Sequence, residues 1–289
     1  DPAYPRRLRE IDDLPPVIYV KGTLLQEDEL SVTVVGTRRP TAYGKEVARH
    51  LAGDLAKAGV TVVSGLARGI DGMAHQAALE AGGRTLAVMG SGMDMVYPAE
   101  HARLADQIAE SGALLTEHPL GVKPEAQHFP RRNRLLSGLS LGTLVIEAGE
   151  GSGALSTVRF ALEQGRDVFS VPGSIYSAAS TLTNRLAQEG AKIVTDVRDV
   201  LEEIDLWPVS PTQQRLEDFP TGGSGDEELL IPLLGHEPQH IDDISRLAGI
   251  SVTRVSSALA IMEMKGTVRQ VGRLNYILSR IAPAASHQT

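Results

Sequence analysis

The stretch SVTVVGTRRPTAYGKEVARHLAGDLAKAGVTVVSG, residues 31–65, decides the fold. It opens on a β-branched run that stops at Gly36 and passes through a polar loop. It then enters a segment in which Val47, Leu51, Leu55 and Ala58 recur at helical spacing, and closes on a second β-branched run that stops at Gly65. Strand, helix and strand in that order form a βαβ unit, whose crossover makes the two strands parallel. Outward from it the pattern repeats. RTLAVMG (84–90), ALLTE (113–117), GTLVIEA (142–148), DVFSVPG (167–173) and AKIVTD (191–196) read as strands, while AEHARLADQIAESG (99–112) and LSTVRFALEQG (155–165) read as amphipathic helices. The strands are nearly continuous in apolar residues, as they are when helices cover both faces of a sheet. A doubly wound, mostly parallel α/β sheet over 31–206 is expected, larger than a minimal nucleotide-binding fold and preceded by a lead-in at 1–30.

After that region the composition shifts to Pro, Gly, Ser and charge, WPVSPTQQRLEDFPTGGSGD, and 207–225 is read as a linker. A short helix in EELLIPLLG, a helix ending near Gly249, a Ser251-capped helix and a hairpin around Gly272 predict a small winged-helix domain over 226–280. Residues 281–289 are expected to be a disordered tail. The chain begins at Asp1 rather than Met, which reads as a fragment or a trimmed chain.

Charge narrows the function. Among 289 residues there are 36 acidic against 28 Lys and Arg, a net charge of −8, so any affinity for polyanions must be confined to a local patch. The absence of cysteine removes disulfides, thiolate zinc sites and cysteine nucleophiles, and fits a reducing cytoplasm. No apolar run approaches the length of a membrane span.

Three strand exits carry groups suited to phosphate. VGTRRPTAYG holds Gly36, Arg38 and Arg39; SGLARGIDGMAH holds Ser64, Gly65, Arg68, Gly69, Asp71 and Gly72; EAGEGSGALST holds Gly149, Gly151, Ser152 and Gly153 at a helix start. Such glycines also serve as plain turn residues, and Asp71 reads as an N-cap rather than a catalytic acid. In QHFPRRNRLLSG (127–138), Arg131, Arg132 and Arg134 cluster with Phe129 and Asn133; charge beside an aromatic ring suits a single strand, whose backbone is anionic and whose bases stack. Enzyme templates fail letter by letter. Gly44-Lys45 is followed by Glu46 where a phosphate-binding loop needs Ser or Thr, GSGMDM and GSGALS lack the last glycine of a dinucleotide fingerprint, and no serine sits in a nucleophile elbow. His50, His75, His118 and His128 follow no metal-ligand spacing, so neither a metal nor a cofactor is expected.

VVGTRRPTAYG, VSGLARGIDGMAH, TLAVMGSGMDMVYP, FPRRNRLLSGLS, VIEAGEGSGALSTVRFALEQGRDVFSVPG and LTNRLAQEGAKIVTDVRDVLEEI, in that order, closely resemble the DNA-processing protein A (DprA, or Smf) family over about residues 4 to 205. The resemblance implies an extended Rossmann-like fold with a winged-helix domain in many members, and a cytoplasmic, non-enzymatic mediator. Such proteins bind and protect incoming single-stranded DNA during natural transformation and help load RecA recombinase onto strands covered by single-strand-binding protein. It implies a homodimer, with its surface here between Leu182 and Ile204, and an N-terminal domain that is absent or trimmed. The implied DNA pocket corresponds to Arg38, to Ser64, Gly65, Arg68, Gly69 and Asp71, and to Phe129, Arg131, Arg132, Asn133, Arg134, Ser137 and Gly138, with Gly149, Gly151, Ser152 and Gly153 as a further phosphate loop.

Over 226–280 six basic residues meet seven acidic ones, a balance of −1, so the winged helix reads as a protein-contact or weak duplex-binding accessory. Two other classes share parts of the pattern. A phosphoribohydrolase acting on nucleoside monophosphates requires a carboxylate on the helix after the glycines, and none follows Gly153 until Glu163. A winged-helix transcription factor with a ligand-sensing Rossmann domain matches the architecture but not the arginines.

Overall fold

The structure, a computed structural model, describes residues 3–204, 229–235, 239–264, 267–270 and 275–278. The chain divides into two compact units, Asp1–Trp207 and Pro208–Thr289. The expected linker at 207–225 and tail at 281–289 lie outside the described residues.

Eight strands form the sheet of the first unit: β1 (Tyr19–Gly22), β2 (Ser31–Val35), β3 (Thr61–Ser64), β4 (Thr85–Val88), β5 (Ala113–Thr116), β6 (Gly142–Val145), β7 (Asp167–Ser170) and β8 (Lys192–Ile193). Their order is β1-β5-β4-β3-β2-β6-β7-β8, parallel throughout except that β1 runs antiparallel to β5, with Tyr19 opposite Thr116. The seven strands expected from apolar runs are all present. β1 was not foreseen because all four of its residues are exposed, so no buried run marks it.

The helices are α1 (Ala42–Lys57), α2 (Ile70–Glu80), α3 (Ala102–Ser111), α4 (His128–Leu139), α5 (Ala154–Glu163), α6 (Thr181–Gln188) and α7 (Val197–Glu203). Neighbouring strand residues feed opposite faces: Val62 joins a core with Leu51, Leu55 and Ile70, while Val63 joins one with Leu135, Leu136 and Leu139. Each fully buried leucine of these layers contributes about 1.5–3 kcal/mol.

From β2 the chain steps outward through β3, β4 and β5. α4 then carries it back to β6, on the other side of β2, and it steps out again through β7 and β8. Winding therefore reverses between β2 and β6, and loops leaving such a pair part to opposite faces and open a crevice at the carboxyl ends.

The second unit contains β9 (Gln239–His240), α8 (Ile241–Ala248), α9 (Val252–Met264), β10 (Val268–Gln270) and β11 (Asn275–Leu278). Its three strands pair antiparallel in the order β10-β11-β9, and Ile244, Val255, Leu259, Met262 and Tyr276 belong to a core of their own. α8 stops at Gly249, whose left-handed φ of 68° suits glycine. Ser251 stands just before α9, its carbonyl accepting the Val255 N–H. β10 and β11 form the expected hairpin pair, with Gly272 outside the described residues. Among the described residues no single helix is long and apolar enough to cross a membrane.

Candidate functional site

A cleft of about 940 Å³ occupies the crevice between β2 and β6. The loop leaving β2 gives it Gly36, Thr37, Arg38 and Arg39, the loop leaving β6 gives it Gly149 through Gly153, and α4 gives it Phe129, Arg132 and Asn133. One carboxylate joins the two loops. Glu147, buried just past β6, accepts the Thr41 hydroxyl at 2.6 Å and the Thr41 N–H at 2.9 Å, while the Thr41 oxygen accepts the Gly44 N–H and caps α1.

The floor is built around Gly65. Asp71 accepts its N–H at 3.2 Å, and Arg132 donates to its carbonyl at 2.8 Å and to that of Val88. A Cβ at Gly65 would stand 2.7 Å from the Asp71 carboxylate and 2.5 Å from the guanidinium, so any larger residue would have to displace this buried pair. Burial pushes the Asp71 carboxyl up and the Arg132 guanidinium down to about 10, which still leaves Arg132 protonated at neutral pH. Leu66, fully buried next to this glycine, takes a left-handed φ of 56°, a conformation a non-glycine residue holds only when its surroundings fix it.

The rim is aromatic and cationic. The Arg38 guanidinium lies 5.9 Å from the centre of the Phe129 ring, and the Tyr97 ring centre lies 5.5 Å from that of Phe129, tilted by 46°. The start of α5 lines the same cleft: Gly153 is its N-cap, and the N–H groups of Ala154, Leu155 and Ser156 donate to the Ser152 hydroxyl and to the Ser152 and Gly153 carbonyls, leaving the positive end of the helix dipole at the lining. Thr157 in the first turn of α5 lines the cleft with its hydroxyl buried and unpartnered. Asn133 braces the turn by donating to the Ser156 hydroxyl at 2.7 Å.

The cleft brings together Arg38, Asp71, Phe129, Arg132, Asn133, Gly149, Gly151, Ser152 and Gly153 from the expected set. The others lie elsewhere. Ser64 is buried and donates to the Val34 carbonyl; Arg68 forms a two-bond pair with Glu100; Gly69 lines an adjoining groove. Arg131 is exposed outside the cleft lining, Ser137 donates to backbone of its own helix, and Gly138 packs against Leu8 and Ile11. Arg134 points away from the cleft: its side chain, 3% exposed, makes two hydrogen bonds of 2.8 Å to Glu117 and pairs with Asp13. The arginine run thus does not form one patch, because it is helical and successive side chains turn by about 100°. Pro130 is tolerated there because it falls in the first turn, where its missing N–H costs no helical bond. The N-cap expected at Asp71 is Gly69; Asp71 sits one residue inside α2, turned back toward Gly65.

Arg39, noted at the exit of the first strand, also lines the cleft, as do Tyr97 and Thr157, which were not singled out by sequence. Tyr97 lies in the loop after β4, where only the fold brings it beside Phe129. His118 and His128 do meet, ring centres 4.4 Å apart, yet among the described residues no three metal-binding side chains converge.

Fold and cleft together define a class: doubly wound α/β proteins with a polar, glycine-rich cleft at the switch point of the sheet. Comparison with known proteins narrows this. The model of the family described as DNA recombination-mediator protein A matches residues 1–205, and that of the DprA winged helix domain matches residues 214–272. The chain belongs to the DNA recombination-mediator protein A family. It is 47% identical over 212 residues to DNA processing protein DprA of Bacillus subtilis, covering 73% of this chain and 71% of that one. The crystal structure of DNA processing protein A from Streptococcus pneumoniae is similar at a TM-score of 0.67 and 44% identity, covering 70% of this chain and 71% of that one. DNA processing protein A from Helicobacter pylori, whose structure is described as showing a single-stranded DNA binding mode, is similar at a TM-score of 0.63 and 30% identity, covering 69% of this chain and 92% of that one.

Proposed function

We propose that this chain binds single-stranded DNA in the switch-point cleft and acts as a recombination mediator. In this reading it protects incoming DNA during natural transformation and helps load a RecA recombinase onto strands covered by single-strand-binding protein. It works in the cytoplasm as a homodimer joined through 182–204, and binds without catalysing. The observation that carries the reading is Arg38, an exposed guanidinium that forms no ion pair among the described residues, lies 5.9 Å from the Phe129 ring centre and lines the same cleft as the start of α5. Phosphate on Arg38 and on the α5 N-terminus, with bases against Phe129 and Tyr97, is the pairing of contacts that single strands take. Arg39, Asn133, the Gly149, Gly151, Ser152 and Gly153 loop and the Thr157 hydroxyl complete the proposed contacts, while Gly65, Asp71 and Arg132 hold the floor in place. The single-strand binding described for the Helicobacter pylori relative supports this reading.

A non-catalytic role is supported by the carboxylates. The first turn of α5 has none, Glu147 is committed to Thr41 and Asp71 to the Gly65 N–H, and Glu150, the other carboxylate of the lining, is exposed on the loop before α5. The winged helix, with its slightly acidic balance, is proposed as a protein-contact or weak duplex-binding accessory.

Fluorescence anisotropy with matched single-stranded and duplex oligonucleotides over a salt series tests the reading. Single-strand preference that weakens in Arg38→Ala is expected. Equal binding of both forms, or an unaltered variant, overturns the cleft assignment and turns attention to hydrolysis of nucleoside monophosphates.

A further inference from the structure

Beside the cleft runs a second groove, of about 720 Å³, with α2 as its floor and α1 and the start of α3 as its walls. The two concavities share Arg38 and Arg39. Lys45 and Arg49, one turn apart on α1, line one wall, and Arg103 on α3 lines the other. Arg38, Arg39, Lys45 and Arg103 are exposed and make no ion pair among the described residues; Arg49 lies 3.9 Å from Glu46. The carboxylates lining the groove are Glu80, which accepts from Gln76, and Glu100, which is held by Arg68. Most cations elsewhere in this acidic unit are paired with a carboxylate, as Arg84 is with Asp28 and Arg166 with Glu10. Arg38, Arg39, Lys45 and Arg103, without an ion pair among the described residues, instead gather around this one groove, at its junction with the cleft and on both of its walls.

We propose that a bound single strand does not end at the cleft but continues along this groove, its phosphodiester backbone held by Lys45, Arg49 and Arg103 with Arg38 and Arg39 at the junction. The inference rests on the cleft reading of the preceding subsection. Lys45 and Arg49 present charge at a spacing of one helical turn, no Phe, Tyr or Trp lines the groove, and the His101 imidazole there is hydrogen-bonded to the Leu66 carbonyl, so the groove tracks backbone rather than stacking bases.

The test uses the full chain and fluorescently labelled oligothymidylates of about 6 and about 20 nucleotides, lengths that bracket the site size of one binding module. Lys45→Ala with Arg103→Ala should leave the short oligomer bound as in the wild type and weaken the long one roughly tenfold at low salt. Two lost phosphate contacts should also lower the long oligomer's log–log salt slope by about 1.4. Phe129→Ala, confined to the cleft, should weaken both lengths. Unchanged binding of the long oligomer, equal loss on both lengths, or a loss confined to duplex DNA overturns the groove assignment. If Phe129→Ala leaves the short oligomer unaffected, or the wild type binds neither length, the cleft reading fails and the groove inference with it. Retained short-oligomer binding shows that the double variant is folded, and Lys45→Glu alone gives an independent check, with a larger loss expected on the long oligomer only.

Discussion

Arg132, Asn133 and Arg134 follow one another in the chain and perform three tasks, because α4 turns each side chain to a different neighbour. Arg132 clamps Gly65, Asn133 braces α5, and Arg134 is bonded to Glu117. Arg134→Ala should therefore cost stability, about 3 kcal/mol for an uncompensated buried partner, and leave the salt slope of DNA binding unchanged. Arg38→Ala should do the reverse, lowering that slope by about 0.7 with little change in stability. Urea midpoints and a salt series on the two variants separate them. Glu117 adds a pH signature. Burial alone would raise its carboxyl, but the Arg134 fork and the charges of Arg134 and Arg131 outweigh burial and hold it below the usual value. Its contribution is present above the unfolded carboxyl's range, near pH 4.3, and is lost as pH falls through the lower folded value. Glu117→Gln should flatten that part of the acid limb of a stability–pH curve.

α1 and α2 depend on caps and clamps that reach across the sheet. Thr41→Ala removes both the cap of α1 and its bonds to Glu147, and should lower stability by about 1–2 kcal/mol in a chemical melt. α2 carries His75, fully buried with Nδ1 2.6 Å from the Thr85 hydroxyl; burial, with the nearby His101 and Arg132 charges, pushes its imidazole down to about 3. Unfolded, the same ring titrates near 6.5, so between about 6.5 and 3 the unfolded chain takes a proton that the folded chain refuses. Stability is then unaffected above that window and falls within it by up to about 1.4 kcal/mol per pH unit. His75→Gln should remove that slope. The seven parallel strands and α1 were legible because apolar period and glycine stops are local signals. β1 was not, since an exposed edge strand gains its order from β5, far along the chain. The cleft's loops were legible for the same local reason, whereas the aim of each arginine was set by the helical phase of α4 and by acids such as Glu117 and Asp13 that are distant in sequence.

At the scale of the molecule, the cleft residues all belong to the first unit, whose cores share no residue with that of the second. A chain ending at Trp207 should keep its single-strand affinity in the anisotropy assay, and a large loss would assign part of the binding surface to the winged helix. Arg132 gives the first unit a further property. From one position on α4 it holds the loop after β3 and the end of β4, with the Asp71 charge nearby and its neighbour Asn133 fastened to the loop before α5. The proposed binding surface is consequently the keystone of the arch rather than an ornament set upon it: warming should not yield a folded molecule with a slack cleft, and single-strand binding and structure should disappear at one temperature.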